Sequence, residues 1–290
     1  MVMRSEIDVL TPQSLDEALD LLHQNETTFK IVAGGSDVIV QLRDGIINTG
    51  KLLNILSLKE LRFIRHTDSR VHIGAISTYS DIIRNEITQK HGWVLVEAAK
   101  QIGTIQLQNT ATIGGNLGNA SPAGDSLPPL YALDAIVVTR SKSGRREIPI
   151  EEFFVGYRKT AQKQDELIEE VHFDPLSPND RGAYVKLGLR EANAISIVDV
   201  AAVLRDRNPD NSFRKIRIAL GAVAPTIRRA RRCEEQLVNK PLTKESIEKA
   251  SVLAFEDAAP IDDIRGSADY RKAMLVSLAF ETLHEAALRR

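Results

Sequence analysis

The chain has 290 residues, of which 43% are hydrophobic and 27% charged, and its formal net charge is −1. These proportions are typical of a globular protein with a buried core, and the length suits one large domain or two smaller ones. A nearly neutral chain excludes a global attraction to nucleic acid or to an anionic membrane. No apolar stretch is long enough to span a bilayer. Residues 1–10 carry charges and lack an apolar signal core, so we expect a cytoplasmic protein.

Metal-binding patterns are missing from the sequence. Cys233 is the only cysteine, which excludes an internal disulfide and a four-cysteine iron–sulfur cluster. The six histidines show no HExxH or similar spacing. We therefore predict no metal site on this chain, and any metal chemistry connected with it belongs to another chain.

Helix and strand patterns alternate through the first 173 residues. Helical spacing or start signals predict helices over residues 15–22, 38–42, from 78, 94–102 and 127–133. Short apolar runs predict strands over residues 29–33, 71–75, 135–139, 146–150 and 167–173. Residues 109–125 are rich in Gly, Asn, Thr and Ser, and we read most of them as loop.

Helix starts are marked by short polar side chains. Ser14 and Glu17 form a predicted capping box. The Ser14 hydroxyl would accept from an early N–H group of the helix, and the Glu17 side chain would reach back to the backbone N–H of Ser14. Ser36 and Asp37 are candidate caps for the helical turn that follows. Thr78 marks the start of the next helix.

A linker is predicted at residues 175–180, because two prolines and polar residues interrupt regular structure there. Beyond it the patterns predict strands at 183–189, 198–205 and 213–223, then helices at 226–238, 243–258 and 267–288. Mixed strands and helices, followed by a meander and then helices, predict an α+β protein of two domains.

The first segment with binding chemistry is residues 31–37, with the sequence IVAGGSD. A strand that runs into two glycines lets the backbone turn tightly and brings N–H groups close to an anion. Ser36 adds a hydroxyl donor, which suits a diphosphate. Asp37 fits such a site only if it points at backbone N–H groups or at a ribose hydroxyl. A plain strand-to-helix turn is the alternative interpretation.

The second segment is residues 111–125, with the sequence ATIGGNLGNASPAGD. Four glycines permit close backbone approach, Thr112 and Asn116 offer hydrogen bonds to phosphate or ring atoms, and Asp125 can accept from ribose hydroxyls. A long loop of this kind in a compact domain is often functional. A purely structural loop is the alternative.

Several nucleotide and hydrolase motifs are absent. Neither glycine segment is GxGxxG after a first strand, so a Rossmann dinucleotide fold is excluded, and there is no Walker A sequence. No Gly-x-Ser-x-Gly occurs, and Cys233 has no histidine nearby, so hydrolase chemistry is not indicated. Four arginines at 228–232 indicate a solvated face or a partner contact.

The two glycine segments together resemble those of the FAD-binding (medium) subunits of molybdenum hydroxylases, such as xanthine, carbon monoxide and nicotinate dehydrogenases. Further matches follow in order along essentially the whole chain. They are residues 73–75 (IGA), 154–160 (FVGYRKT), 165–168 (DELI), Lys186 with Arg190, 221–226 (GAVAPT) and 267–271 (SADYR). The region around Pro225 and the C-terminal tail are most similar to the bacterial xanthine dehydrogenase subunit.

The resemblance implies an α+β fold with an FAD-binding (PCMH-type) domain of two subdomains over residues 1–176. A smaller α+β C-terminal domain with an antiparallel sheet would follow over residues 181–290. This division agrees with the linker predicted from prolines.

The resemblance also implies which residues bind FAD. They are Lys30, Ile31, Val32, Ala33, Gly34, Gly35, Ser36, Asp37, Ile102, Thr112, Ile113, Gly114, Gly115, Asn116, Asp125, Ile168, Lys186 and Ile195. The two glycine segments would hold the diphosphate chiefly through backbone N–H groups, and Lys186 would place a positive charge near the flavin or a phosphate. Ile102 stands where some relatives have a stacking aromatic, and Gln108 where many have arginine, so the sequence departs from the family at both.

The implied function is electron transfer without a catalytic side chain. A molybdopterin large subunit would oxidise the substrate, [2Fe–2S] clusters on a small subunit would carry the electrons to FAD, and NAD⁺ would be the acceptor. The alternatives are a flavin subunit of a nicotinate, carbon monoxide or aldehyde dehydrogenase, a self-sufficient flavin oxidoreductase, and a nucleotide-binding module without redox function.

Overall fold

The computed structural model describes residues 7–24, 29–47, 50–67 and 69–288. Three principal sheets organise these residues, and each has its own cluster of buried apolar side chains. Helices and strands are mixed throughout, which confirms the α+β prediction. None of the helices within these ranges combines the length and the apolar character that crossing a bilayer requires.

A small parallel sheet begins the chain. Its strands are β1 (Asp8–Leu10), β2 (Lys30–Val32) and β3 (Lys51–Asn54), in the order β1-β3-β2, and its helices are α1 (Leu15–His23) and α2 (Val38–Arg43). Leu19, Leu22 and Leu53 are buried together in its core. The sequence predicted β2 and both helices, but not β1 or β3.

The start of α1 differs in one detail from the predicted capping box. The Ser14 hydroxyl accepts from the Glu17 N–H at 3.2 Å, as expected. The Glu17 carboxylate, however, accepts from the Gln13 N–H at 2.7 Å and not from Ser14. The acidic side chain still satisfies an N–H group before the helix, one residue earlier than predicted.

A five-stranded antiparallel sheet forms the second subdomain, in the order β4-β5-β10-β6-β7. Its strands are β4 (Ile64–His66), β5 (Val71–Gly74), β6 (Ile136–Ser141), β7 (Gly144–Pro149) and, after the hairpin β8 (Phe154–Gly156) and β9 (Lys159–Thr160), β10 (Leu167–Phe173). The helices are α3 (Tyr79–Arg84), α4 (Glu86–His91), α5 (Trp93–Lys100), α6 (Ile105–Thr110), α7 (Ile113–Asn119), α8 (Leu127–Ala132) and α9 (Ile150–Phe153). Helices α5, α7 and α8 contribute to the core against one face of the sheet.

Residues 109–125 are not mostly loop, so that prediction was wrong. The end of α6 and all of α7 lie within them. Thr112 begins α7, because its hydroxyl accepts from the Gly115 N–H at 3.1 Å. Gly114 packs so tightly on Ala75 that a Cβ at 114 would lie 2.7 Å from the Ala75 carbonyl oxygen. Tertiary packing of this kind overrides the low helix propensity of glycine.

The C-terminal domain is an antiparallel sheet covered by helices. Its strands are β11 (Arg181–Gly188), β12 (Ser196–Arg207), β13 (Phe213–Gly221) and β14 (Arg228–Arg229), in that order across the sheet. Its helices are α10 (Arg231–Leu237), α11 (Lys244–Val252) and α12 (Ala268–Leu288). The helix predicted from residue 226 begins later, because Arg228 and Arg229 pair with β13 as a strand.

An ion cluster joins the two parts of the chain. Asp134, in the turn before β6, contacts Lys215 at 2.7 Å, Arg217 at 2.9 Å and Arg229 at 3.2 Å. Arg229 is buried, and it also contacts Glu151 at 2.7 Å and Glu234 at 2.6 Å. Arg229 is thus bound to both domains, which explains part of the arginine run.

Candidate functional site

The two glycine segments meet in the structure. Gly34, which follows β2, packs against the end of α6, so closely that a Cβ at position 34 would overlap the carbonyl oxygen of Thr110 and lie 3.3 Å from the Cα of Ala111, the first residue of the second segment. Gly35 has a φ of +73°, in the left-handed region that favours glycine. The turn after β2 therefore depends on both glycines, one for contact and one for conformation.

Asn119, at the end of α7, ties the same segments together. Its Nδ2 donates to Asp37 Oδ1 at 2.9 Å, and its Oδ1 accepts from Gln41 at 2.9 Å and from Arg158 at 3.2 Å. The other oxygen of Asp37 accepts from the Ser36 hydroxyl at 3.4 Å. Asp37 therefore bonds side chains, and it makes no side-chain cap bond to α2.

A cavity of about 590 Å³ lies where the segments meet. Its size is in the range of small-molecule and cofactor sites. Of the residues assigned to FAD in the sequence, all but Ile113 and Lys186 lie on its wall. Ile113 is fully buried in the core, and its N–H donates to the Ser77 carbonyl at 3.1 Å.

The first glycine segment presents unused backbone donors. Among the described residues, the N–H groups of Gly34, Gly35, Ser36 and Asp37 donate to no acceptor within the chain. Successive free N–H groups in a turn form a concave site that suits an anion. This observation fits the diphosphate of a dinucleotide.

The second segment contributes differently from what its glycines suggested. The N–H groups of Gly114 and Gly115 are already used, by the Ala75 carbonyl at 2.8 Å and by the Thr112 hydroxyl at 3.1 Å. Gly115 and Gly118 are exposed to the cavity on one face of α7. Without side chains there, a ligand can lie directly against the helix.

A chain of hydroxyl groups fixes Asn116 on the cavity wall. The Ser126 hydroxyl donates to Asn116 Oδ1 at 3.0 Å and is itself 2.9 Å from the Tyr79 hydroxyl. Tyr79 is buried, and burial raises its pKa above the ordinary value, although the bond to Ser126 opposes the shift. Tyr79 is thus a neutral hydrogen-bonding partner of Ser126. Because Ser126 bonds the oxygen of the Asn116 side chain, the amide nitrogen of Asn116 is available to a ligand.

Asp125 is held from behind by the C-terminal domain. Its Oδ2 contacts Lys186 Nζ at 2.6 Å and its Oδ1 accepts from Ser196 at 2.7 Å. Burial raises the pKa of Asp125, and the positive charge of Lys186 acts in the opposite direction. Lys186 also donates to the Gln101 carbonyl at 3.1 Å and does not line the cavity. In this structure Lys186 orients Asp125.

The two departures from the family lie next to each other. Ile102 is partly buried and lines the cavity. Gln108 donates through Nε2 to the carbonyls of Lys100 at 3.1 Å and Ile102 at 3.0 Å. Gln108 therefore secures the turn that presents Ile102.

Several wall residues were not among the sequence candidates. The cations Arg158 and Lys163 and the polar side chains of Asn119 and Asn193 are examples. Arg158 lies in the segment 154–160, which matched the family but was given no role. Asn119 belongs to the second glycine segment, where its position after the glycines was the available signal.

The cavity fits a dinucleotide cofactor. The glycine turn offers free N–H donors, α7 offers a surface without side chains, and apolar side chains line the wall beside Lys30, Arg158 and Lys163. This combination matches the mixed polar and aromatic surface of a flavin nucleotide.

Residues 5–175 match the sequence family described as the FAD-binding domain in molybdopterin dehydrogenase, which is more than half of the chain. The chain belongs to this family. In this FAD-binding subunit, residues 183–286 match a second family, the carbon monoxide dehydrogenase flavoprotein C-terminal domain.

Three relatives align with this FAD-binding subunit over nearly its whole length. The xanthine dehydrogenase FAD-binding subunit of Escherichia coli O157:H7 is 33% identical over 94% of this chain and 93% of its own. The nicotinate dehydrogenase FAD-subunit of Eubacterium barkeri is 33% identical over 92% and 91%. The solved carbon monoxide dehydrogenase from Hydrogenophaga pseudoflava has a TM-score of 0.93 and 32% identity, covering 98% of both chains. The protein is therefore an oxidoreductase subunit with FAD as its cofactor, and the predicted fold is confirmed.

Proposed function

We propose that this protein is the flavin subunit of a xanthine dehydrogenase-type molybdenum hydroxylase with three kinds of subunit. The observation that carries the proposal is the packing of Gly34 against Thr110 and Ala111, which joins the two glycine segments at one cavity of dinucleotide size. FAD can accept electrons singly and release a pair as hydride, which suits it to a position between [2Fe–2S] clusters and NAD⁺.

The residues of this chain would hold and orient the cofactor. The free N–H groups of residues 34–37 would bind the diphosphate, with Lys30, Arg158 and Lys163 nearby as cations. Asn116 and Asp125, each fixed by other side chains, would hydrogen-bond polar atoms of the cofactor. Ile102, Ile168 and Ile195 would pack on its apolar surfaces and exclude water.

The relatives support a complex with other subunits, because they are named as FAD-binding subunits or medium chains of dehydrogenases. We propose a [2Fe–2S] small subunit as the electron donor and a molybdopterin large subunit as the site of substrate oxidation, in keeping with the molybdopterin dehydrogenase family. We propose that the FAD-binding domain spans residues 1–176 and the C-terminal domain residues 181–290. The cytoplasmic location expected from the sequence stays a prediction.

The test is to purify the tagged chain with its native partners and to assay hydroxylation. We expect co-purifying [2Fe–2S] and molybdopterin subunits, and NAD⁺ reduction when hypoxanthine or xanthine is added. Turnover of nicotinate, carbon monoxide or an aldehyde in place of purine would overturn the substrate assignment. Hypoxanthine turnover by the isolated chain would overturn the subunit model itself.

A further inference from the structure

Asp199 is a fully buried carboxyl group of the C-terminal domain that faces Asp125 of the FAD-binding domain. It lies on β12 and is 0% exposed. Its Oδ2 accepts from the Tyr184 hydroxyl at 2.9 Å. Its Oδ1 has no hydrogen-bond partner in the described part of the chain and faces Gly221 on β13, where a Cβ would overlap it. A carboxylate there would have one neutral donor for two charged oxygens.

Lys186, the cation that acts on Asp199, forms its ion pair with a different carboxylate, Asp125. Lys186 contacts Asp125 at 2.6 Å and the Gln101 carbonyl at 3.1 Å, and Ser196 also donates to Asp125. The cluster thus contains two buried carboxyl groups and one ammonium group. Burying a second negative charge without its own partner is costly, so the arrangement favours one neutral acid.

The cations on the neighbouring elements are bound to other groups. Arg271 on α12 donates to the carbonyls of Ile197 and Ala222 and to Asp263, and Arg265 donates to the Ser196 carbonyl and to Asp263. Tyr184 and Lys186 face Asp199 from β11, and Asp125 faces it from the loop before α8, whose sequence LPPLYA has no charged residue. On α5, Glu97 and Lys100 line a separate cavity of about 480 Å³ together with Tyr184 and Lys186. Burial raises the pKa of Asp199 to about 8, and the charge of Asp125 acts in the same direction.

We propose that Asp199 carries a proton in the folded subunit and is a positioning residue, whose neutral state leaves Lys186 bound to Asp125 alone. Asp125 lies on the wall of the FAD cavity, whereas Asp199 does not. The orientation of Asp125 would thus depend on the protonation of a residue outside the cavity. Ionisation of Asp199 introduces a competing negative charge, draws Lys186 from Asp125 and loosens that part of the wall. The second step rests on the FAD assignment, and the protonation itself does not.

The protonation is tested by ¹³C NMR of the full chain labelled at the aspartate carboxyl carbons. We expect one carboxyl resonance that titrates near pH 8 in the wild type and is missing in Asp199→Asn. Asp206→Asn, at the exposed end of the same strand, is the matched control and keeps the resonance. If all aspartates titrate below about pH 5, or if Asp199→Asn keeps the signal, the proposal is overturned. If Asp199→Asn fails to fold, Asp125→Asn takes its place, because it removes the other buried carboxyl group of the cluster and keeps the high-pH resonance only if Asp199 is its source.

The positioning role is tested by titrating FAD into the chain between pH 6.5 and 9.5 and following flavin fluorescence. We expect the wild-type Kd to rise by about tenfold over this range, the effect of losing one charged hydrogen bond, and the Kd of Asp199→Asn to stay nearly constant. A parallel pH profile in both proteins would overturn the role. Absence of FAD binding at every pH, with the high-pH resonance intact, would overturn the FAD assignment and leave the protonation standing.

Discussion

The Cα of Gly34 packs against the carbonyl group of Thr110, although the two residues belong to segments far apart in the chain. A methyl group at position 34 would overlap that oxygen, which is backbone and cannot rotate away. We expect Gly34→Ala to separate the two sides of the cavity, to destabilise the fold by about 1–3 kcal/mol and to abolish measurable FAD binding. Urea unfolding and FAD titration measure the two effects.

Gly50→Ala is the matched control for this substitution. Nothing lies within 4 Å of a Cβ at position 50, so both stability and FAD affinity should be close to those of the wild type. If Gly34→Ala bound FAD as the wild type does, the contact between the glycine segments would not be what forms the site.

The contrast between α7 and the first glycine segment shows what sequence reasoning can reach. The tight turn at Gly34 and Gly35 follows from local backbone chemistry, and it was predicted. The helix from Ile113 to Asn119 was not, because Gly114 is required by its contact with Ala75, which is distant in sequence. Local backbone conformation explains Gly35, whose φ is +73°, whereas Gly34 and Gly114 are explained only by their tertiary contacts.

Asn119 provides the second prediction. Its side chain joins Asp37, Gln41 and Arg158, so Asn119→Ala removes three hydrogen bonds between both sides of the cavity. Each lost hydrogen bond costs about 1 kcal/mol net, and water replaces part of that loss. We therefore expect FAD affinity to fall by about tenfold or more. Equilibrium titration with FAD measures this change.

An exposed amide on another helix serves as the control for Asn119. Gln236→Ala on α10 removes an exposed side chain outside the cavity, and it should leave FAD affinity unchanged. Equal affinity in Asn119→Ala and the wild type would show that the bridge forms part of the fold but not of the site.

Gln108 gives the third prediction. Because its amide donates to the carbonyls of Lys100 and Ile102, Gln108→Ala should free the turn that carries Ile102 into the cavity. We expect faster amide hydrogen exchange at residues 101–103 and an FAD affinity lowered by about three- to tenfold. Gln106→Ala, exposed on the same helix, is the control. Identical amide exchange in the two variants would contradict the role of Gln108 in holding the turn at Ile102.

Side-chain support behind the cavity was the part that the sequence could not reveal. Lys186 was expected near the flavin, yet its ammonium group reaches Asp125 and the Gln101 carbonyl. Which neighbour a long side chain chooses depends on how two domains pack, and no spacing within one segment encodes that. The place of Arg158 on the cavity wall was not predicted for the same reason, since Arg158 bonds Asn119 only in the folded chain.

Asp134 leads to a prediction about the domain boundary. Although burial raises the pKa of Asp134, hydrogen bonds from Lys215 and Arg217 lower it below the ordinary value overall. A carboxyl group with a lowered folded pKa stabilises the protein above its unfolded pKa, and this stabilisation is lost as the pH falls through the folded value. Asp134→Asn should therefore cost about 1–2 kcal/mol at pH 7 and progressively less below pH 4.

Asp206→Asn is a close control for Asp134, because both aspartates have positive φ, 56° and 51°, and Asn tolerates that conformation. Asp206 is exposed, so its substitution should leave unfolding by urea unchanged at both pH values. A loss of stability in Asp134→Asn that stays constant from pH 7 to pH 3 would mean that charge is not the cause.

The opposite pH dependence is expected for Asp199. Its pKa is raised from 3.8 to about 8 in the folded protein, so between these values the folded chain binds a proton that the unfolded chain has released. Stability then falls as the pH rises through this window, by at most about 1.4 kcal/mol per pH unit, and becomes level above it. Asp199→Asn has no proton to lose and lacks this slope.

Urea unfolding of the wild type and of Asp199→Asn from pH 4 to pH 9 isolates the contribution of this one group, since all other titrating groups are common to both proteins. The free energy of unfolding of the wild type should decline relative to that of the variant up to about pH 8, and the difference should then be constant. A difference that does not vary with pH would mean that Asp199 is ionised in the fold despite its burial. In that case Lys186 would be shared between two carboxylates, and the orientation of Asp125 would need another explanation.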